Sequence, residues 1–219
     1  LSTQTVAEDS LFSFQVPSNT FEEVDVGDTL TYTATLADGA ALPTWLTFNA
    51  TTRTLSGTPT NDDVGAISVK VTATDGSGQS VASTFGLTVT NTNDTPTVAV
   101  AQTQQTATED AAFTYQVPAG TFSDVDAGDT LTYTATLANG AALPNWLTFN
   151  AATRTFSGTP VNGDVGTISV KVTATDTSGA SVFNTFALTV NNVNDAPTLV
   201  NALSTQTVAE DSLFSFQVP

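Results

Sequence analysis

Apolar and polar side chains alternate in several stretches of the first hundred residues. Residues 11–16 (LFSFQV) set Phe12 and Phe14 against Ser13 and Gln15, and residues 29–36 (TLTYTATL) repeat the pattern. Residues 66–74 and 81–90 are longer runs of the same kind. A period of two sends successive side chains to opposite faces, which predicts half-buried β-strands. Few segments show helical spacing. Between strands, ADG at 37–39 becomes ANG at 138–140. Asp-Gly and Asn-Gly both favour tight turns, so the exchange of Asp for Asn points to turn chemistry rather than a charged ligand.

The pattern recurs. AEDSLFSFQVP at residues 7–17 matches TEDAAFTYQVP at 108–118, and Glu8, Glu109 and Glu210 stand 101 residues apart. Residues 203–219 copy residues 1–17 without a change. A period near one hundred is too long for a solenoid repeat and suits a whole β-sandwich. The expected fold class is all-β: tandem antiparallel Greek-key β-sandwiches, immunoglobulin/cadherin-like, with about seven strands each. The expected domains are 1–96, 97–197 and an incomplete third copy at 198–219. Because the chain opens inside a repeat, it is expected to be a fragment of a parent with many near-identical modules. The partial third copy also raises a swap, in which residues 203–219 replace residues 1–17 of another chain.

Composition narrows the function. The 219 residues carry 21 acids against 4 bases, a formal net charge of −17. Nucleic acid and anionic membrane surfaces would be repelled. There is no Cys, His or Met, which removes disulfides, thiolate ligands, the commonest general base and the commonest zinc ligand. No apolar run is long enough to span a bilayer. Trp45 and Trp146, each followed by Leu and Phe within a strand, are expected in the core. Lys70 and Lys171 lie mid-strand; a solvent-facing Lys that discourages edge pairing is expected there.

Most acids gather in four groups per copy, in loops or at strand ends. The second copy has Glu109 and Asp110, then Asp124, Asp126 and Asp129 in DVDAGD, then Asp176, then Asp195. The first has Glu8 and Asp9, then Glu23, Asp25 and Asp28, then Asp75, then Asp94. Crowded carboxylates repel unless a cation or solvent screens them. Hard Ca²⁺ takes six to eight oxygen ligands. DVDAGD lacks the twelfth-position Glu of an EF-hand, and no nonapeptide β-roll signature is present.

The run V-x-V-x-A-x-D-x-x-G, a closing strand and N-x-N-D-x-P resemble the second half of a cadherin repeat. The early Glu-Asp and the D-x-D before L-T-Y resemble its first half. The middle, LPTWLTFNATTRTLSGTP, is similar to the dystroglycan-type and immunoglobulin-like modules of bacterial surface adhesins. Both copies are covered end to end. The resemblance implies a Ca²⁺ junction, with Glu8 reaching down from the first domain. Asn91, Asn93 and Asp94 would come from the linker, Asn93 through its backbone carbonyl. Asp124, Asp126 and Asp176 would reach up from the second domain. It also implies half-sites at Glu23, Asp25 and Asp75, and at Glu109, Asn192, Asn194 and Asp195; these are expected to bind weakly or stay empty. The cadherin Asp-Arg-Glu triplet is absent from GTPTNDD and GTPVNGD, with Asp63 and Asp164 as partial substitutes. One or two Ca²⁺ per junction are therefore expected.

The resemblance implies calcium-stiffened spacer modules of an extracellular adhesin on a bacterial cell surface. Partners would be neighbouring repeats of the same chain and, beyond them, polysaccharide or another adhesin chain. The alternative is a carbohydrate-binding or homophilic cell-adhesion module. An enzyme is not expected: besides lacking His and Cys, the chain has no G-x-S-x-G or comparable motif.

Overall fold

The structure, a computed structural model, describes residues 1–126 and 128–218. The first copy folds as β1 (Gln4–Ala7), β2 (Phe12–Gln15), β3 (Thr31–Leu36), β4 (Thr47–Asn49), β5 (Thr54–Gly57), β6 (Gly65–Thr74) and β7 (Ser80–Thr90). The linker leads into β8 (Thr97–Val98). The second copy follows with β9 (Gln105–Thr108), β10 (Phe113–Gln116), β11 (Phe122–Ser123), β12 (Thr132–Leu137), β13 (Leu147–Asn150), β14 (Thr155–Gly158), β15 (Gly166–Thr175) and β16 (Ser181–Asn191).

Each copy is a sandwich of a four-stranded and a three-stranded sheet. In the first these are β1-β7-β6-β3 and β2-β5-β4; in the second, β12-β15-β16-β9 and β10-β14-β13. The short pair β11–β8 fastens the end of the linker to the second domain. Alternation decides what each sheet buries. Along β6, Val69, Val71 and Ala73 turn inward, as do Phe85, Leu87 and Val89 of β7, with Val69 paired to Phe85. Lys70 sits on the opposite face, paired with Thr35 and Thr84; because β6 is bonded to a strand on each side, this Lys guards no sheet edge, contrary to the expectation.

The structure adds one relationship that alternation does not encode. β1 runs parallel to β7, with Gln4 beside Leu87 and Ala7 beside Thr90, and β9 runs parallel to β16 in the same way. First and last strands of a domain therefore leave it at the same end. Glu8 emerges next to the linker: its amide donates to the Thr90 carbonyl at 3.0 Å.

Trp45 is half-buried, packs against the first core, and meets Phe12 edge-on with ring centroids 6.3 Å apart; Trp146 and Phe113 repeat this. Gly57 is required beneath it, because a Cβ there would lie 1.7 Å from the Trp45 carbonyl oxygen. The ADG and ANG turns serve the same geometry. Asp38 Oδ1 accepts the Ala40 amide at 2.9 Å and Asn139 Oδ1 accepts the Ala141 amide at 3.0 Å.

Residues 203–218 form no strand. β7 and β5 already hold the first copy of this segment. Phe214 is 52% exposed, where its counterpart Phe12 is 5% exposed.

Candidate metal centre

The chain turns sharply after β1. Asp9 adopts a left-handed φ of 57°, a conformation Asp tolerates better than most residues, and its amide donates to the Pro59 carbonyl at 2.8 Å. This anchors Glu8 at the end of the first domain, only 1% exposed. Its Oε1 accepts the Thr92 amide at 2.7 Å, while Oε2 is shielded from solvent and has no hydrogen-bond partner. A buried carboxylate oxygen left bare carries the full cost of its lost hydration.

Glu8, Asp94 and Asp126 converge there: an oxygen from each lies within 4.8 Å of the other two. They come from the first domain, the linker and the second domain. Asp126 is buried, and its Oδ2 accepts the Asp94 amide at 2.8 Å. A second group, Asp124, Asp126 and Asp129, converges within the second domain and shares Asp126. Asp124 Oδ2 and Asp129 Oδ2 are shielded and unpartnered as well. Two like charges at this spacing repel by about 3 kcal/mol at an effective dielectric of 20.

Among the described residues, no base offsets this. Arg53 lies over the Tyr32 ring, Arg154 over Tyr133 and Lys171 over Phe183, while Lys70 is mid-strand in β6. Among the described residues, the donor set is oxygen-only, anionic and partly desolvated, and Glu8, Asp124 and Asp129 each carry a bare oxygen. That chemistry fits a hard divalent cation, and Glu8, Asp94, Asp124, Asp126 and Asp129 are the residues able to hold one.

The linker amides take other parts. Asn93 Nδ2 donates to the Asp94 carbonyl at 2.9 Å and to Asp176 Oδ2 at 3.0 Å. Asp176 Oδ1 accepts the amides of Ser178 and Ala180, both at 2.9 Å. The Asn93 side chain is the chief cause that holds the Asp176 carboxyl below its ordinary range. Burial opposes it, and the Ala180, Gly179 and Ser178 amides reinforce it. Asn91 is exposed. Asp63 Oδ2 caps the turn after β5 by accepting Thr60 N and Oγ1, so that oxygen is engaged locally.

At the end of the first domain away from the linker, Glu23 and Asp75 converge with Asp28, while exposed Asp25 donates its amide to Glu23 Oε1 at 2.9 Å. After the second domain, Glu109 is 1% exposed, accepts the Val193 amide, and leaves Oε2 bare. Asn192 and Asn194 donate to the carbonyls of Val193 and Asp195. Asp195 accepts from the Asn162 side chain.

Residues 1–90 and 95–191 each match the family described as "Putative Ig domain". The chain belongs to that family. Its two Ig domains are similar to "Serine-rich adhesin for platelets" of Staphylococcus aureus, with 31% identity over 157 residues in strains USA300 and MRSA252. The match covers 71% of this chain but only 6% and 11% of those two proteins. Among solved structures, the Ig pair resembles human mucin-like protocadherin EC1-2, with TM-score 0.57 and 16% identity over 87% of this chain and 96% of that one. It also resembles human CDH23 EC21-23, with TM-score 0.58 and 19% identity over 86% and 72%. At these identities the likeness shows the fold: tandem cadherin-like sandwiches.

Sequence reasoning left three positions of the Ig pair without a role. Asp28 and Asp129 stand in the acid groups, yet the ligand spacing singled out only the D-x-D before them. Asn61 is the third. Its Nδ2 reaches Asp94 Oδ2 at 2.9 Å and Asp126 Oδ1 at 3.4 Å. The available signal was its recurrence as Asn162 in the equivalent loop, near Asp164 as Asn61 stands near Asp63.

Proposed function

We propose that the chain is a pair of spacer modules from a long extracellular bacterial adhesin, with domains at 1–96 and 97–197 joined rigidly by Ca²⁺ at the linker. The observation that carries this is Glu8: a buried carboxylate with one bare oxygen, converging with Asp94 of the linker and Asp126 of the next domain. Asp124 and Asp129 extend the set, and Asp126 belongs to both groups. Bound Ca²⁺ supplies positive charge that neutralises acids from three segments at once. The chain's own residues supply the rest. The Thr92 amide orients Glu8, the Asp94 amide orients Asp126, and Asn93 ties the linker to Asp176.

Repetition supports a mechanical role, because the same acid and amide positions recur at Glu109, Asn162 and Asp195. The adhesin relatives support a place on a bacterial cell surface, where millimolar Ca²⁺ suits sites of the extracellular class. Small-angle scattering with Ca²⁺ and with chelator tests the proposal. The particle should be longer and stiffer with Ca²⁺; identical scattering in both conditions rejects it.

A further inference from the structure

Residues Asn61–Asp63 form a single 3₁₀ turn at the linker end of the first domain. Asp63 caps its start at Thr60 N, 2.9 Å away, and at Thr60 Oγ1, 3.0 Å away. This sets half-buried Asn61 against the junction, where one neutral amide faces the linker carboxylate of Asp94 and the second-domain carboxylate of Asp126. The arrangement is built twice. Asp164 caps Val161 at 2.9 Å, and Asn162 donates to Asp195, which stands where Asp94 does in the first copy.

We infer that Asn61 is a positioning residue that fastens the first domain to the Asp94–Asp126 pair and sets the cation affinity of the junction. The affinity part rests on the calcium reading; the fastening part does not. An amide carries donor and acceptor on one planar group. Its NH₂ face screens the repulsion between two carboxylates. Half a turn about its last side-chain bond presents Oδ1 instead, an oxygen those carboxylates can share with a cation. Alanine at 61 can do neither. Aspartate can do only the second, and adds a charge to the repulsion. Asn61 thus keeps the joint assembled without cation, at the expense of the tighter binding a further carboxylate would give.

The test uses the intact 219-residue chain and the variants Asn61→Ala, Asn61→Asp and Asn162→Ala. Calcium affinity is read by titration calorimetry. The joint is read in EDTA from distances between spin labels, one in each domain. Asn61→Ala should weaken Ca²⁺ about tenfold, the scale of losing a supporting partner of a metal site, and broaden the EDTA distances through loss of the amide hydrogen bonds. Asn61→Asp should tighten Ca²⁺ yet broaden the EDTA distances further. Asn162→Ala, whose partner Asp195 is exposed, should change neither readout. The inference is overturned if both Asn61 variants keep wild-type affinity and wild-type EDTA distances. It is also overturned if they lose only thermal stability, which marks a mere loop residue. A wild-type chain that takes up no Ca²⁺ overturns the calcium reading and the affinity part; the EDTA distances then decide the fastening part alone.

Discussion

The Asp94 backbone amide donates to Asp126 Oδ2 at 2.8 Å, so the linker is hydrogen-bonded to the very carboxylate that two acidic groups share. Asp25 is the sequence counterpart of Asp126, 101 residues earlier, but it is exposed. The two should respond differently. Asp126→Asn is expected to weaken Ca²⁺ by about a hundredfold, as when one partner of a buried charge pair is removed. Asp25→Asn should leave the tightest site unchanged. Calorimetry on both variants checks this; equal losses would contradict a junction centred on Asp126.

Glu8→Gln should act with opposite signs in the two states. In EDTA the change removes a buried, unpaired charge and should stabilise the first domain by about 1–2 kcal/mol. In Ca²⁺ it removes a ligand and should lower the affinity. Thermal melts in both buffers read the crossing. A Gln variant less stable than wild type in EDTA would show that Oε2 is not bare.

Asp176 sets an acid limit on the joint. Its folded pKa is lowered, first by the Asn93 side chain, against burial and with help from the Ala180, Gly179 and Ser178 amides. A depressed carboxyl contributes stability above its unfolded pKa of about 3.9, and this is lost as pH falls through the folded value. Acidification in EDTA should therefore loosen the linker only below the ordinary Asp range. Asn93→Ala should shift the Asp176 titration upward, so that loosening begins at higher pH. Carboxyl carbon NMR of Asp176 measures it, and an unmoved titration would contradict the assigned cause.

Gly57→Ala should cost the first domain about 3 kcal/mol, because its Cβ would strike the Trp45 carbonyl oxygen, 1.7 Å away. Urea unfolding should show the first domain melting early while the second keeps its own transition. A loss under about 0.5 kcal/mol, the range of neutral surface changes, would mean that the strand shifts freely.

The period of two in TLTYTATL and the 101-residue recurrence determined the all-β class, the tandem sandwiches and most strands. These are local or repeated signals: side-chain alternation and turn chemistry act between near neighbours. The interchangeable Asp38 and Asn139 are read the same way, since each needs only to accept an amide two residues on. The cadherin resemblance implied seven junction residues, of which Glu8, Asp94 and Asp126 converge in the structure while Asn91 is exposed and Asp176 is held by Asn93. Tertiary structure decided their relation. Only the parallel pairing of β1 with β7 brings Glu8 to the linker, 84 residues from its partner Thr92. Burial at that joint leaves Glu8 Oε2 bare, and burial is a property of the assembled domains. The same holds for Asn61, a turn residue in its own loop whose amide acquires two carboxylate partners only when linker and second domain fold against it.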